Sequence, residues 1–373
     1  MPRANAQRSP NGRAQRHKNK PKLYAAVDLG TNNCRLLIAR RSGDGFHVVD
    51  SHSQIARLGE GLVTTGELSP DAINRALDAL KNIKRKLRHH RVGHVRCIAT
   101  EACRKAKNGD AFVERVRRET GLTFKIIRPL EEVRLAAVGC HDLIDNAADL
   151  VMVLDIGGGS TEISFLDATA LNGDMVKSLV ERVPIKAWES FPLGVVTLTE
   201  AFDEHPENLA FPLMLEKARE TFGEWSKGVM MSDAMTSENA RMIGTSGTVT
   251  CLAGVHKGLS KYRRSDIDGV AMAPDEVLAV IEKLKMAGVK GRAGMPTIGR
   301  ERAGLMLSGC AILQAAMEIW PAAELRVADR GLREGLLLSM MHQKRPSKRR
   351  RVRGATGENG GGHNGAAREE GSV

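Results

Sequence analysis

Asp155-Ile-Gly-Gly-Gly-Ser-Thr-Glu162 constrains this chain more than any other stretch. The apolar run from Leu150 to Leu154 reads as a buried strand that delivers Asp155 to its end. Ile163 and Phe165 then alternate as a second strand. Between the strands, Gly157, Gly158 and Gly159 can take backbone angles closed to other residues. Lacking Cβ atoms, they also let a ligand approach the main-chain N–H groups. A carboxylate before the loop and another just after it are placed to hold a cation over a phosphate group. Taken alone, the string is better read as a tight β-hairpin that binds nothing. A second copy changes the balance: Ala26-Val-Asp-Leu-Gly-Thr-Asn-Asn33 repeats strand, Asp28, glycine and hydroxyl. Two such hairpins in register can grip phosphates from two sides, with N–H groups and Thr or Ser hydroxyls as donors.

The rest of the chain sorts around these hairpins. Strands are expected at residues 23–29, 36–39 and 46–50, with Ser42-Gly-Asp-Gly45 turning between the last two. Ser69, Pro70 and Asp71 open a helix whose Ile73, Leu77, Leu80, Ile83 and Leu87 share one face. Lysines and arginines from Lys81 to Arg91 give it a solvated opposite face. Next come a strand at 95–99, a helix from about 110 to 120 stopped by Gly121, a strand at 124–127 and a helix from 131 to 145. From Leu150 the plan restarts, with a third strand near 182–185 and a strand–loop–helix start at 241–250. Helices from 274 to 286 and 302 to 319, a strand at 325–328 and a closing helix at 332–341 complete it. Two α/β halves, each opening on strand–Asp–x–Gly, predict duplicated domains facing one another across a cleft.

Charge narrows the class of partner. The net charge of the 373 residues is +12, but residues 1–22 carry +7 and residues 344–373 carry +5, so the stretch between them is formally neutral. The basic character thus belongs to two tails rich in Gly, Asn, Arg and Lys with no apolar periodicity, read as disordered. Lys348-Arg-Arg-Arg351 can touch a polyanion nonspecifically or simply solubilise the chain. The N-terminus has no apolar leader, and no apolar run approaches the roughly 20 residues that span a bilayer. Cys34, Cys97, Cys103, Cys140, Cys251 and Cys310 lack C-x-x-C spacing, which fits reduced thiols in a cytoplasmic protein.

Further candidates follow from position. Gly244-Thr-Ser-Gly-Thr248 lies between strand and helix, where a helix N-terminus adds partial positive charge for an anion. Ser246 and Thr248 can instead serve as plain helix caps. Asp155 and Glu162, with Asp28 from the first hairpin, are candidate ligands for Mg²⁺, a cation usually held by one or two carboxylates together with water and phosphate oxygens. Arg104 follows a buried strand, where its guanidinium can clamp phosphate oxygens. Glu131 and Glu132 begin a helix after Pro129, where acids favour the helix start, yet hydrolysis of a phosphoanhydride also needs a base that orients water. No Ser–His–Asp set, metal-spaced His pair or Walker A lysine loop stands out.

Together these strings resemble the exopolyphosphatase / guanosine pentaphosphate phosphohydrolase (Ppx/GppA) family of the sugar kinase, heat-shock chaperone and actin superfamily. The resemblance runs from about Tyr24 to His342, in the short two-domain form. Ala99-Thr-Glu-Ala-Cys-Arg-Lys-Ala-Lys-Asn108, Glu131-Glu-Val-Arg134, Thr245-Ser-Gly-Thr248 and Asp329-Arg-Gly-Leu-Arg-Glu-Gly335 carry it beside the two hairpins. Val133, where the family more often has Ala, and Asn33-Cys34, where Ser-Phe is common, depart from the pattern. The resemblance implies a duplicated actin-like (ribonuclease H-like) fold: residues 23–130, completed by a closing helix near 331–343, and residues 131–330. It implies a Mg²⁺-dependent hydrolase, often a homodimer, that releases terminal phosphate from inorganic polyphosphate or from guanosine pentaphosphate. Glu132 matches the catalytic base, with Glu131 as second choice, and Arg104 matches a phosphate-contacting arginine. Asp155 and Glu162 match metal-linked acids. Gly30, Thr31, Asn32 and Asn33, Gly157, Gly158, Gly159, Ser160 and Thr161, and Ser246, Gly247 and Thr248 match phosphate loops. A nucleotide-binding switch on the same fold, or a polyanion binder driven by the tails, are the readings outside hydrolysis.

Overall fold

Each glycine hairpin sits at the centre of its own sheet, and the two sheets share one plan. The first half supplies β1 (Leu23–Leu29), β2 (Asn33–Ser42), β3 (Gly45–Ile55), β4 (His94–Ala99) and β5 (Phe124–Ile126). The second supplies β6 (Leu150–Ile156), β7 (Thr161–Asp167), β8 (Ile185–Phe191), β9 (Ala240–Thr245), β10 (Ala271–Met272) and β11 (Leu325–Ala328). The structure, a computed structural model, describes residues 22–342 apart from positions 146, 172, 230–234 and 236–238. The order β3-β2-β1-β4-β5 in one sheet is repeated as β8-β7-β6-β9-β11 in the other, with β10 added at the edge. In both, the first strand runs antiparallel to its hairpin partner and parallel to the strand on its other side. This is the duplication that the repeated strand–Asp–x–Gly pattern predicts. The apolar runs of β1 and β6 are buried along nearly their whole length because helices cover both faces.

Helices of the first half are α1 (Leu62–Thr65), α2 (Pro70–His89), α3 (Glu101–Lys105), α4 (Gly109–Thr120) and α5 (Pro129–Gly139). Those of the second are α6 (Met175–Glu181), α7 (Val195–Ala201), α8 (Glu207–Val229), α9 (Gly247–His256), α10 (Arg264–Ile267), α11 (Pro274–Gly294), α12 (Arg300–Ala303), α13 (Met306–Ile319) and α14 (Leu332–His342). Ser69 caps α2 by accepting from Ala72 N at 3.2 Å, Pro70 opens it, and Leu77, Leu80, Ile83 and Leu87 are buried. Gly121 ends α4 in the left-handed region, at φ 67°.

Several boundaries differ from the sequence reading. β2 and β3 extend well beyond 36–39 and 46–50, forming one long ladder. The helix expected over 131–145 stops at Gly139, where a Cβ would sit 2.0 Å from the Gly331 carbonyl oxygen, with Cys140 as its cap, and a short 3-10 turn follows at His141–Leu143. Residues 182–184 are not strand: α6, capped by Asp174, occupies the preceding stretch and the strand starts at Ile185. The helix opening at Pro274 runs on to Gly294 but breaks at Gly288 (φ 59°). Its last turn is anchored by the fully buried Arg292, which donates to the Ala303 and Leu284 carbonyls at 3.0 Å each and pairs with Glu207. The stretch 302–319 is two helices, α12 and α13, rather than one.

α5 and α14 pack on each other between the sheets, α14 against β1 and β2, and α5 against β6, β7 and β8. Among the described residues no helix is long and apolar enough to cross a membrane. All six cysteines are buried free thiols. Apart from Lys22, the tails read as disordered, Lys348–Arg351 included, lie outside the described residues.

Candidate active site

The two hairpin loops meet. A Cβ added to Gly158 would come within 3.0 Å of Thr31 Cβ, and one on Gly159 within 2.7 Å of Thr31 Oγ1. Only glycine permits this approach, and it sets both loops into one wall of a cavity of about 250 Å³.

Each loop is held by its carbonyl groups. In the first, Thr31 O accepts from Gly59 N, and Asn32 O from Ala56 N and Arg57 N, each at 2.9 Å. In the second, Gly157 O accepts from Val195 N at 3.0 Å and Gly158 O from Val196 N at 2.8 Å. The same solution, reached with unrelated segments, occupies carbonyls of both loops; Gly30 N and Gly157 N close the turns by donating to Asn33 O at 2.9 Å and Ser160 O at 2.8 Å, and the N–H groups between remain for the cleft. That polarity suits an anion. α9 adds its N-terminus: Ser246, Gly247 and Thr248 line the cleft, although the Ser246 hydroxyl oxygen also caps the helix, accepting from Thr248 N at 3.1 Å and Val249 N at 3.2 Å. Cap and phosphate loop are thus not exclusive readings at Ser246.

Gly30, Thr31, Asn32, Asn33, Gly157, Gly158, Gly159 and Ser160 all line the cleft. Thr161 does not: it is fully buried and its hydroxyl donates to Leu193 O at 2.5 Å. Asp28, Asp155, Glu162 and Glu132 face the same space, whereas Glu131 is half-buried outside it. Pro129 starts α5 so that Glu132, one residue further along the turn, points inward. Arg104 does not line the cleft. Its guanidinium donates to the Ile127 carbonyl at 2.7 Å and is held by Glu132 and Glu101.

The hairpin register explains the electrostatics. Asp28 pairs with Arg35 across the first hairpin, while Asp155 pairs with Glu162 across the second. A cation therefore stands opposite one strand-end acid and a second acid opposite the other. Burial pushes the Asp155 carboxyl up to about 7, with Glu162 and Asp28 adding to the rise and Arg35 opposing it. Burial likewise raises Asp28 against the pull of Arg35 and Arg333. Glu162 is raised by burial, although its Oε1 accepts from both Ser160 Oγ and Ser190 Oγ at 2.7 Å. Burial, then Glu162, holds Glu132 well above the usual carboxylate range, and Arg104 opposes them. Four buried acids with too little compensation favour a bound cation.

A divalent cation fits these residues. Asp28 Oδ1 is buried with no hydrogen-bond partner, and Asp155 stands in the same cleft. Among the described residues no three carboxylate, His or Cys side chains form a protein-only cage. An arrangement of one or two carboxylates completed by water and substrate oxygens is how Mg²⁺ is commonly held.

Asp155→Asn should stabilise the cation-free protein. A carboxyl whose folded pKa is raised costs nothing below the unfolded value of 3.8 and costs in full above about 7. Melting curves without divalent cation should therefore show the variant a few degrees more stable at pH 8 and indistinguishable near pH 3.5. Equal melting at pH 8 would contradict the burial argument.

Sequence reasoning missed several cleft residues. Arg35, Arg302 and Arg333 bring guanidinium groups to the cavity, and Glu101, Tyr262, Asp329 and Glu334 also line it. Arg35 could have been found by its place two residues past Asn33 in the first hairpin. Asp329 and Arg333 lay in a string read only as part of the resemblance. Ser190 carried no local signal; its role follows from the β7–β8 register that sets it opposite Glu162.

Comparison with known proteins agrees with this geometry. Residues 37–344 match the Ppx/GppA phosphatase family. "Exopolyphosphatase 2" of Mycobacterium tuberculosis is 28% identical over 332 residues, covering 85% of this chain and 98% of that protein. The crystal structure of the Aquifex aeolicus Ppx/GppA family member superposes with a TM-score of 0.68 at 28% identity, covering 86% of this chain and 98% of that one. An exopolyphosphatase from Cytophaga hutchinsonii, 22% identical and covering 86% of this chain and 98% of its own, shares the fold with a TM-score of 0.75.

Proposed function

The chain belongs to the Ppx/GppA phosphatase family, and from that premise we propose that it is an exopolyphosphatase, a phosphoanhydride hydrolase that removes terminal phosphate from inorganic polyphosphate. The observation that carries this reading is the placement of Glu132, buried in the cleft that the two abutting glycine hairpins also line. The N–H groups of Thr31, Asn32, Gly158 and Gly159, with the Thr31 and Ser160 hydroxyls and the N-terminus of α9, bind the terminal phosphates. Arg35, Arg302 and Arg333 supply positive charge to the same anion. Glu132 orients a water and accepts its proton as oxygen attacks the terminal phosphorus. The bridging P–O bond then breaks, and orthophosphate and a chain one unit shorter are released. Arg104 orients the Glu132 carboxylate. Asp28 and Asp155, with Glu162 beside them, would hold a divalent cation such as Mg²⁺, which when bound neutralises phosphate charge.

Guanosine pentaphosphate is the second reading, favoured by the family's span of both activities. Polyphosphate comes first because Tyr262 supplies the one aromatic ring among the residues lining the cleft, a poor platform for a purine. We further propose two lobes, residues 23–130 with the closing helix and residues 131–330, that close on the substrate, in a cytoplasmic homodimer. Orthophosphate release by purified protein with Mg²⁺, from polyphosphate and guanosine pentaphosphate side by side, tests the function. Release from polyphosphate that stops on chelation is expected. Tight ATP binding without release from either substrate would favour the switch reading instead.

A further inference from the structure

We propose that Glu101 is a positioning residue for this reaction: it holds Arg104, and Arg104 in turn holds Glu132 in the cleft. The inference rests on the reading of Glu132 as the base.

Three contacts fix the guanidinium. Arg104 Nη1 donates to Glu132 Oε1 at 2.5 Å and to the Ile127 carbonyl at 2.7 Å, while Nη2 donates to Glu101. Side-chain exposure is 19% for Arg104, 11% for Glu101 and 9% for Glu132, so the group is screened little by solvent. α3, which carries both Arg104 and Glu101, spans only Glu101–Lys105, too short to hold a long side chain by its own rigidity. Without Glu101, Nη2 loses its acceptor and the arginine regains rotamers that carry Glu132 with it.

Glu101 also touches the other half of the molecule. A Cβ on Gly159 would lie 3.2 Å from Glu101 Cγ, so the second glycine loop rests on this side chain. The residue therefore ties the seating of the phosphate loop to the seating of the base. A pair that served stability alone would need one carboxylate. Here two carboxylates flank one guanidinium, and among the described residues the additional charge meets a second cation only in Lys105, 61% exposed and 4.0 Å away. That excess of buried negative charge is costly for folding, and a role in positioning accounts for it.

The test compares Glu101→Ala and Glu101→Gln in two backgrounds. In the otherwise native enzyme, Glu101→Ala should lower kcat on polyphosphate about tenfold and leave KM within about twofold, as a misplaced base would. Glu101→Gln keeps an acceptor oxygen for Arg104 and should recover most of the rate. In a Glu132→Gln background, Glu101→Ala should change the residual rate less than about twofold, because the positioned group is already absent. Equal losses in both backgrounds, or a rise in KM without loss of kcat, would overturn the inference. Should Glu101→Ala fail to fold, Glu101→Leu, which keeps the bulk but offers Arg104 no acceptor, carries the same comparison: a kcat loss confined to the Glu132 background supports the inference, and a wild-type kcat or an equal loss in both backgrounds overturns it. A Glu132→Gln enzyme that keeps its rate overturns the underlying reading instead, so the two failures are separable.

Discussion

Glu132→Gln lowers orthophosphate release from polyphosphate by about 10²–10⁴-fold, the range expected when a general base is removed. Glutamine keeps the volume of the side chain and an oxygen for Arg104, so the loss would reflect chemistry more than a disturbed fold. KM should move little, since the hairpin loops and arginines that bind the phosphates are untouched. Glu131→Gln, altering a half-buried residue outside the cleft, should leave the rate within about twofold. A pH profile adds a second check. Burial and Glu162 raise the Glu132 carboxyl despite Arg104, so its proton-accepting form is gained at higher pH than for an ordinary glutamate. The acid limb of kcat/KM should accordingly lie above the usual carboxylate range and vanish in the glutamine variant. A variant that keeps the native rate would place the base elsewhere.

The parts of this site that were legible in the sequence are those fixed by local backbone chemistry. The choice of Glu132 over Glu131 rested on the family resemblance, while strand–Asp–x–Gly twice over specified both hairpins by its turn chemistry. Ser69-Pro70-Asp71 fixed the start of α2 for the same reason. What escaped depends on contacts between distant segments. The fate of Arg104 could not be read from its neighbours, because Glu132 and the Ile127 carbonyl reach it from residues more than twenty positions away. Thr161, adjacent to Ser160, looked like another hydroxyl donor, but strand alternation turns it to Leu193 on the other face. Gly139 looked like an ordinary residue of an apolar helix. The backbone of Gly331, close enough to forbid any side chain there, is what requires glycine.

Gly335→Ala should destabilise the protein, reversing the sign that helix propensity predicts. Gly335 lies inside α14, and alanine in a helix interior ordinarily gains about 0.5–1 kcal/mol over glycine. Here a Cβ would stand 1.9 Å from the Leu135 carbonyl oxygen, 2.8 Å from its carbon and 3.1 Å from Gly139 N. All three are backbone atoms of α5, so no side chain can swing aside, and the helices must part. Overpacking of this kind typically costs about 1–3 kcal/mol and sometimes more; a contact against backbone belongs at the upper end, near 3 kcal/mol. Denaturant unfolding measures it, with Gly223→Ala as the control: that glycine lies within α8 with nothing within 4 Å of its Cβ position, and its replacement should be neutral or mildly stabilising. A Gly335→Ala protein as stable as the native one would mean that α5 and α14 are not in backbone contact. The position also has a functional consequence. Leu135 stands three residues from Glu132 on α5, so any parting of the two helices displaces the base relative to Asp28 on β1. Residual activity of the folded fraction should therefore fall with stability, whereas Gly223→Ala should leave it intact.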